Sequence, residues 1–284
     1  LNTSLKNDLI RYVNEIETEP KVNKYLNQFE LTNDHKEAVL CRTEKIIDNH
    51  KGMNNIINNG LIPNLVSKIS NFPVNIYKEK INYKYPNTGG YRPHQDITAY
   101  PNSKNHTTCL ISLCDTNLLN GCLEFSPLNN NSILENNNGV ILNEEKLNWI
   151  SCPTNFGDIV LFNSYIPHRS GPNKMDKPRK ALYLTYNNAE EGYLRDEYYK
   201  NKIKNLDDCK ISLIDHYDGK VLNEKSKKIN NIINLYKEHG HKNYDSHITH
   251  LEHALQTTEL AKNNGESEEF QLSCFFHDIG HLLL

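Results

Sequence analysis

Apolar residues recur at helical spacing at Leu5, Leu9, Val13 and Ile16, and again at Ile57, Leu61, Leu65 and Ile69. Residues 1 to about 72 therefore read as helical. The period then shortens. Runs rich in β-branched and aromatic residues occupy 74–84, 106–115, 157–163 and 180–186, with turn residues such as Asn87-Thr88-Gly89-Gly90 and Ser170-Gly171-Pro172-Asn173 between them. Many short strands punctuated in this way predict an antiparallel sandwich or barrel. From about Leu194 the pattern is helical again. Residues 207–225 are polar and irregular and read as a linker. Beyond them, Ile248, Leu251, Leu255 and Ala261 predict one helix, and Leu272, Phe275, Phe276 and Ile279 another. The expected organisation is α+β: a domain at 1–206 with a β core and flanking helices, then an all-α segment at 226–284. No internal repeat is present.

Composition sharpens this in a few respects. A net charge of −3 gives no broad attraction to nucleic acid or to an anionic membrane, and neither partner is expected. Hydrophobic residues make up 37% of 284, low but adequate for a core at this length. Asparagine runs such as Asn129-Asn130-Asn131 and Asn136-Asn137-Asn138 fit solvated loops. Seven cysteines occur without a CxxC pair. Cys109, Cys114 and Cys274 lie in apolar surroundings, which predicts buried free thiols in a reducing compartment. With no signal peptide and no membrane-spanning run, the expected location is the cytoplasm. Both ends read as cut, so a longer parent protein is expected.

The chemistry concentrates between residues 94 and 179. His94-Gln95-Asp96 follows a glycine-containing turn and is expected to start an extended segment. On a strand, side chains two apart share a face, so His94 and Asp96 can bind one metal. His168 ends a β-prone run and supplies a second imidazole. Two histidines and one carboxylate leave three coordination positions open, the arrangement of iron(II) oxygenases. One position is left for dioxygen and two for a chelating co-substrate. Arg179, 11 positions after His168, can grip a carboxylate bidentately, and Ser170 can add a hydrogen bond. An isolated HxD carries little weight; the joint pattern carries the reading.

This stretch resembles the phytanoyl-CoA dioxygenase family over about residues 60–200. The resemblance rests on Ile81-Asn82-Tyr83-Lys84-Tyr85, Pro93-His94-Gln95-Asp96, and the run from Gly157-Asp158 to Tyr186. It implies a double-stranded β-helix (jelly-roll) fold, iron(II) and 2-oxoglutarate. It assigns His94, Asp96 and His168 as catalytic metal ligands, and Arg179, Ser170 and Lys84 as contacts to the co-substrate. The runs at 168–173 and 181–187 look most like members that hydroxylate small organophosphonates, 2-aminoethylphosphonate or its trimethylated analogue, next to phosphorus. A phosphonate needs cationic donors, for which Lys78, Lys80, Arg92 and Arg169 are candidates. An ammonium end would suit Tyr85, Tyr91, Tyr100, Phe125 or Tyr165.

A second constellation lies in the C-terminal segment. His253 stands on a predicted helix, and His277-Asp278 is embedded in Cys274-Phe275-Phe276 and Ile279-Gly280-His281. An adjacent histidine and aspartate among apolar residues calls for a partner, and a metal supplies one. Residues 230–284 resemble the start of an HD domain, most closely that of diiron oxygenases that cleave hydroxylated phosphonates. The resemblance assigns His253, His277 and Asp278 as ligands; His281, one turn after His277, is expected either to face the same site or to be exposed. The family's remaining ligands have no counterpart before Leu284, so the second iron site is expected to be incomplete. His239, His241, His247 and His250 are expected to face solvent. Three other readings compete with phosphonate hydroxylation: the same oxygenase chemistry on another small metabolite, a silent binding module, or an HD-type phosphohydrolase.

Overall fold

The computed structural model describes residues 1–18, 24–31, 38–100, 102–128, 130–204 and 221–283. They form two compact units, 1–224 and 225–284. In the first, α1 (Thr3–Thr18) precedes β1 (Leu26–Leu31) and β2 (Ala38–Glu44), and α2 (Lys51–Asn58) and α3 (Leu61–Ser70) follow. Next come β3 (Val74–Lys84), β4 (Tyr91–His94), β5 (His106–Ser112), β6 (Leu123–Phe125), β7 (Asn136–Asn137), β8 (Val140–Ile141) and β9 (Ile150–Cys152). The unit continues with β10 (Ile159–Asn163), β11 (His168–Ser170), β12 (Arg179–Asn188), α4 (Arg195–Lys204) and β13 (Val221–Asn223).

The strands build two antiparallel sheets. The larger runs β10-β5-β12-β3-β2-β1-β13 and the smaller β7-β8-β4-β11-β6-β9. Leu110, Phe162, Ala181 and Tyr183 of the larger sheet share an apolar cluster with Leu123 and Phe125 of the smaller, so the sheets face one another. The outer face of the larger sheet is covered by helices. Leu9, Val13 and Ile16 of α1, Met53 and Ile57 of α2, and Ile62 and Val66 of α3 pack on Ile81, Tyr83, Cys109, Ile111, Leu182 and Leu184. Each such aliphatic side chain contributes roughly 1.5–3 kcal/mol on burial.

Strand β3 explains how one sheet serves both a core and a site. Its alternation turns Ile81 and Tyr83 toward the helices and leaves Lys78, Lys80, Asn82 and Lys84 on the opposite face. All four are buried.

Several expectations need correction. The segment up to residue 72 is not all helical: β1 and β2 lie within it and extend the larger sheet. The row Ile57, Leu61, Leu65, Ile69 does not form one buried stripe. Asn59 ends α2 and Gly60 (φ +88°) caps the start of α3, which resets the helical phase, so Ile62 and Val66 are buried while Leu61 and Ile69 are exposed. Of the expected linker, 207–220 lies outside the described residues, and 221–223 form β13, paired with β1. Cys109 is buried, but Cys114 and Cys274 are only partly so; no disulfide joins the described cysteines. Among the described residues no helix is long and apolar enough to cross a membrane.

The second unit contains α5 (Glu224–His239, less its first residue), α6 (His250–Asn263), α7 (Glu268–Phe276) and a closing 3-10 turn at Ile279–Leu283. Thr249 caps α6 in a reciprocal arrangement with Glu252. Tyr236, Ala254 and Leu282 form its small core, with Leu251, Phe275, Phe276 and Ile279 packed around them.

Candidate metal centre and co-substrate clamp

His94 ends β4 and His168 begins β11, and the two are directly paired across the smaller sheet. Their rings lie 4.1 Å apart between centroids. Asp96 is not on the strand as the spacing suggested. It opens a 3-10 turn at Asp96–Ala99, which Ile97 anchors by donating its N–H to the Ser164 carbonyl at 3.0 Å. The turn still carries the carboxylate to the histidines, with His94 Nε2 to Asp96 Oδ1 at 3.9 Å. One ligand atom from each of the three lies within 4.8 Å of the others, and all three residues are buried.

The hydrogen bonds around the rings set their tautomers. His94 Nδ1 meets the Arg92 carbonyl at 2.7 Å, and His168 Nδ1 meets the Ile166 carbonyl at 3.0 Å. A carbonyl accepts only, so each Nδ1 carries the proton and each Nε2 keeps its lone pair for a metal. Burial, then His168, pushes His94 well below its ordinary pKa; burial likewise lowers His168. Burial alone would raise the Asp96 carboxyl, but His168, Lys80, His94 and Lys78 together hold it below its usual range. Two neutral imidazoles and one carboxylate are the protonation states that metal binding requires.

Gln95, between two of these residues, is a contributor that the sequence pattern did not single out. Its side-chain amide donates to the Ser132 and Tyr165 carbonyls (2.8 and 2.5 Å) and accepts from the Leu134 N–H (2.8 Å). It thereby ties two loops to the segment that carries His94 and Asp96. A polar residue alternating between two ligands was the available signal.

Arg179 starts β12 opposite Lys84 of β3. It is 2% exposed, and its Nε and Nη1 are buried without a hydrogen-bond partner. An unanswered buried guanidinium is costly, and a carboxylate is the group that answers it with two parallel bonds. Beside it, Lys84 Nζ donates to Ser170 Oγ (2.7 Å) and to the carbonyls of Gly171 (2.7 Å) and Gly121 (3.1 Å). Burial, then Arg179, pushes the Lys84 ammonium well below its usual range. Gly121 has to be glycine: its φ is +73°, and a Cβ there would sit 2.2 Å from the Gly171 carbonyl oxygen.

A small cleft between the sheets is lined by His94, His168, Ser170, Lys80, Asn82, Tyr91, Leu123, Arg169 and Tyr183. Of the cationic candidates, Lys80 faces it without a hydrogen-bonded anion. Arg169 reaches its edge but is engaged by Glu124 (3.2 Å) and Glu144 (2.9 Å) and lies over the Trp149 ring, so it is no free anion donor. Lys78 sits one row further along β3, over the rings of Tyr100 and Tyr198. Arg92 contributes its carbonyl to His94. Of the aromatic candidates, Tyr91 lines the cleft and Phe125 packs 6.1 Å from the His168 ring. Tyr100 belongs to a cluster with Tyr77 and His106, Tyr85 donates to Glu17, and Tyr165 lines a different cavity.

The matching family model is that of phytanoyl-CoA dioxygenase, over residues 8–181. The chain belongs to this family. It is a dioxygenase. The dioxygenase is 40% identical over 226 residues to methylphosphonate hydroxylase of Gimesia maris, covering 75% of this chain and 86% of that protein. It is 37% identical over 209 residues to 2-aminoethylphosphonate dioxygenase of an uncultured bacterium (71% of this chain, 80% of that protein). A 58-residue stretch is 38% identical to hydroxymethylphosphonate dioxygenase of Gimesia maris, and spans only 29% of that protein's length. Among solved structures, EctD from S. alaskensis with 2-oxoglutarate and 5-hydroxyectoine superposes with a TM-score of 0.56 at 14% identity, over 67% of this chain and 70% of that one. That likeness shows the jelly-roll fold.

The second unit brings together His253, His277 and Asp278. His253 Nε2 and His277 Nε2 lie 3.2 Å apart, and Asp278 Oδ2 is 3.4 and 3.1 Å from them. His277 Nδ1 meets the Cys274 carbonyl at 2.6 Å. Tyr244 stacks on the His253 ring at 3.9 Å. His281 instead packs beside His250, 6.2 Å between ring centroids, and is not brought to the cluster.

Proposed function

We propose that this dioxygenase binds iron(II) through His94, Asp96 and His168 and uses 2-oxoglutarate to hydroxylate a small organophosphonate at the carbon next to phosphorus. The observation that carries the reading is the pairing of a buried facial triad with a buried, acceptor-less Arg179. The first fits iron, and the second fits the distal carboxylate of 2-oxoglutarate. Bound iron and 2-oxoglutarate supply the oxidising chemistry: dioxygen gives one oxygen atom to the substrate carbon and one to succinate, with carbon dioxide released.

The chain's own residues do the rest. His94 and His168 present unprotonated Nε2 atoms because backbone carbonyls hold the protons on Nδ1. Arg179 orients the co-substrate, with Ser170 beside it. Lys84, committed to Ser170 and two carbonyls, acts by positioning Ser170 and the strand-end loops. Leu123, Tyr91 and Tyr183 wall the cleft and limit water. The substrate class is supported by the names of the two relatives that cover most of the chain.

The test is succinate formation by the purified chain with iron, ascorbate and 2-oxoglutarate, with and without methylphosphonate, 2-aminoethylphosphonate and its trimethyl analogue. Phosphonate-stimulated succinate and hydroxylated phosphonate are expected. His168→Ala is expected to lose at least ~100-fold. Full turnover in that variant would sink the ligand assignment; an unchanged phosphonate pool would sink the substrate.

The second unit favours a further reading. His253, His277 and Asp278 are placed to share one metal ion, part of the ligand set that the resemblance to HD-type phosphonate-cleaving oxygenases implies. A hydroxymethylphosphonate dioxygenase is also among the chain's relatives, over 58 residues. Hydroxylation followed by carbon–phosphorus cleavage is the sequence of reactions that such a pairing would serve.

A further inference from the structure

The inner face of the β3–β12 pair holds more positive charge than the co-substrate requires. In register, Arg179 faces Lys84, Ala181 faces Asn82, Tyr183 faces Lys80 and Thr185 faces Lys78. Arg42 and Glu44 of the adjoining β2 pair with Asn82 and Lys80. One carboxylate, Glu44, therefore serves Arg42, Lys78 and Lys202, and Lys202 takes both of its oxygens at 2.7 and 2.6 Å. The other nearby carboxylate, Asp96, belongs to the metal triad. Both carboxylates act on Lys80 through space, but neither is hydrogen-bonded to it. Its Nζ lies 4.8 Å from the Tyr183 ring centroid, its side chain is 91% buried, and it lines the cleft beside His94 and His168.

Lys80 is also distinct from the 2-oxoglutarate clamp. Four residues of extended chain separate it from Lys84, the partner of Arg179, which is roughly 13 Å along the strand. Lys80 lies close to the triad, since its charge acts on His94, Asp96 and His168. Asn82 occupies the intervening row. Arg42 Nε donates to its Oδ1 at 3.3 Å, which turns the amide nitrogen away from Arg42. Burial, then the charges of Lys78 and Arg42, pushes the Lys80 ammonium well below its ordinary range, a cost that an arriving anion would relieve.

We infer that Lys80, with the amide of Asn82 beside it, is the specificity residue that receives the dianionic phosphonate headgroup and sets the neighbouring carbon over the metal triad. This rests on the phosphonate reading above and adds the residue that enforces it. A neutral or cationic head would leave Lys80 unanswered, so discrimination against substrates without an acidic group follows from the same contact.

The experiment is an anaerobic calorimetric titration of the whole chain, loaded with iron and 2-oxoglutarate, with methylphosphonate and with 2-aminoethylphosphonate. Lys80→Met, which keeps the length and removes the charge, is expected to weaken phosphonate binding by about 50-fold or more. Lys80→Arg should lose less than about tenfold, because charge is retained. The Kd for 2-oxoglutarate should stay within about twofold in both. Lys80→Gln provides a second neutral variant should Lys80→Met fail to fold. An unchanged phosphonate Kd in the neutral variants overturns the assignment. So does an equal loss of 2-oxoglutarate affinity, which would make Lys80 part of the co-substrate clamp. Failure of the unsubstituted chain to bind either phosphonate is a different result: it removes the substrate reading itself, and the role of Lys80 with it.

Discussion

At the level of single residues, the candidate site depends on side chains outside the His94, Asp96 and His168 triad. Gln95 spends both ends of its amide on loop backbone at Ser132, Tyr165 and Leu134. Gln95→Leu keeps the volume and leaves three partly buried backbone groups without their partner. The segment between His94 and Asp96 would loosen, and iron affinity is expected to fall by about 10–100-fold, as for other residues that orient ligands. Chelator competition with iron(II) measures this, and Gln95→Glu, which retains acceptor capacity for Leu134, should lose less. The grouping of His94, Asp96 and His168 was legible because each sits in a recognisable strand-and-turn setting. Gln95, Asn82 and Arg42 were not, because each acts through partners 37 to 70 positions away in the chain.

At the level of elements, the core strands were readable wherever two faces differ in polarity. β3 alternates Ile81 and Tyr83 with charged and polar neighbours, and β5, β10 and β12 carry apolar runs. β1 and β2 were missed because they read as part of a helical region, and their burial is mostly polar: Asn27, Gln28, Glu30, Arg42, Thr43 and Glu44. α4 shows why such polarity survives. It docks on the sheet through ions rather than an apolar stripe. Arg195 binds Glu79 through Nε and Nη2 (2.9 and 2.6 Å) and Asp48 through Nη1 (2.8 Å), and Lys202 binds Glu44. Replacing one member leaves a buried charge without its partner. Arg195→Met is expected to destabilise the first unit by about 3–5 kcal/mol, and the double variant Arg195→Met with Glu79→Leu by less, since it removes both charges. Urea denaturation of the two variants separates these outcomes; equal losses would mean that α4 is held by something other than the ion pair.

At the level of the whole molecule, the described residues hold two clusters that could bind a metal ion, one in each compact unit. The first was legible from HxD, a distant histidine and an arginine on the next strand. The grouping of the second was legible from an adjacent His-Asp and an upstream helical histidine; of the two places expected for His281 the structure gives the exposed one, beside His250. The two clusters differ in a way that predicts their affinities. His94, Asp96 and His168 are buried, with both imidazoles oriented by carbonyls. In the second, His277 is exposed, His253 and Asp278 are partly so, and Asp278 already approaches both rings. Solvent screens the second set and its ligands are less fixed, so it should bind iron(II) more weakly, by about tenfold or more. Metal titration of the full chain is therefore expected to give two separable equivalents. His168→Ala should remove the tighter one and leave the weaker; His277→Ala should do the reverse and leave 2-oxoglutarate turnover at the first site within about twofold. A single equivalent that His277→Ala does not alter would reduce the second cluster to a hydrogen-bonded surface group and remove the two-step reading, leaving only the hydroxylation proposed for the first unit.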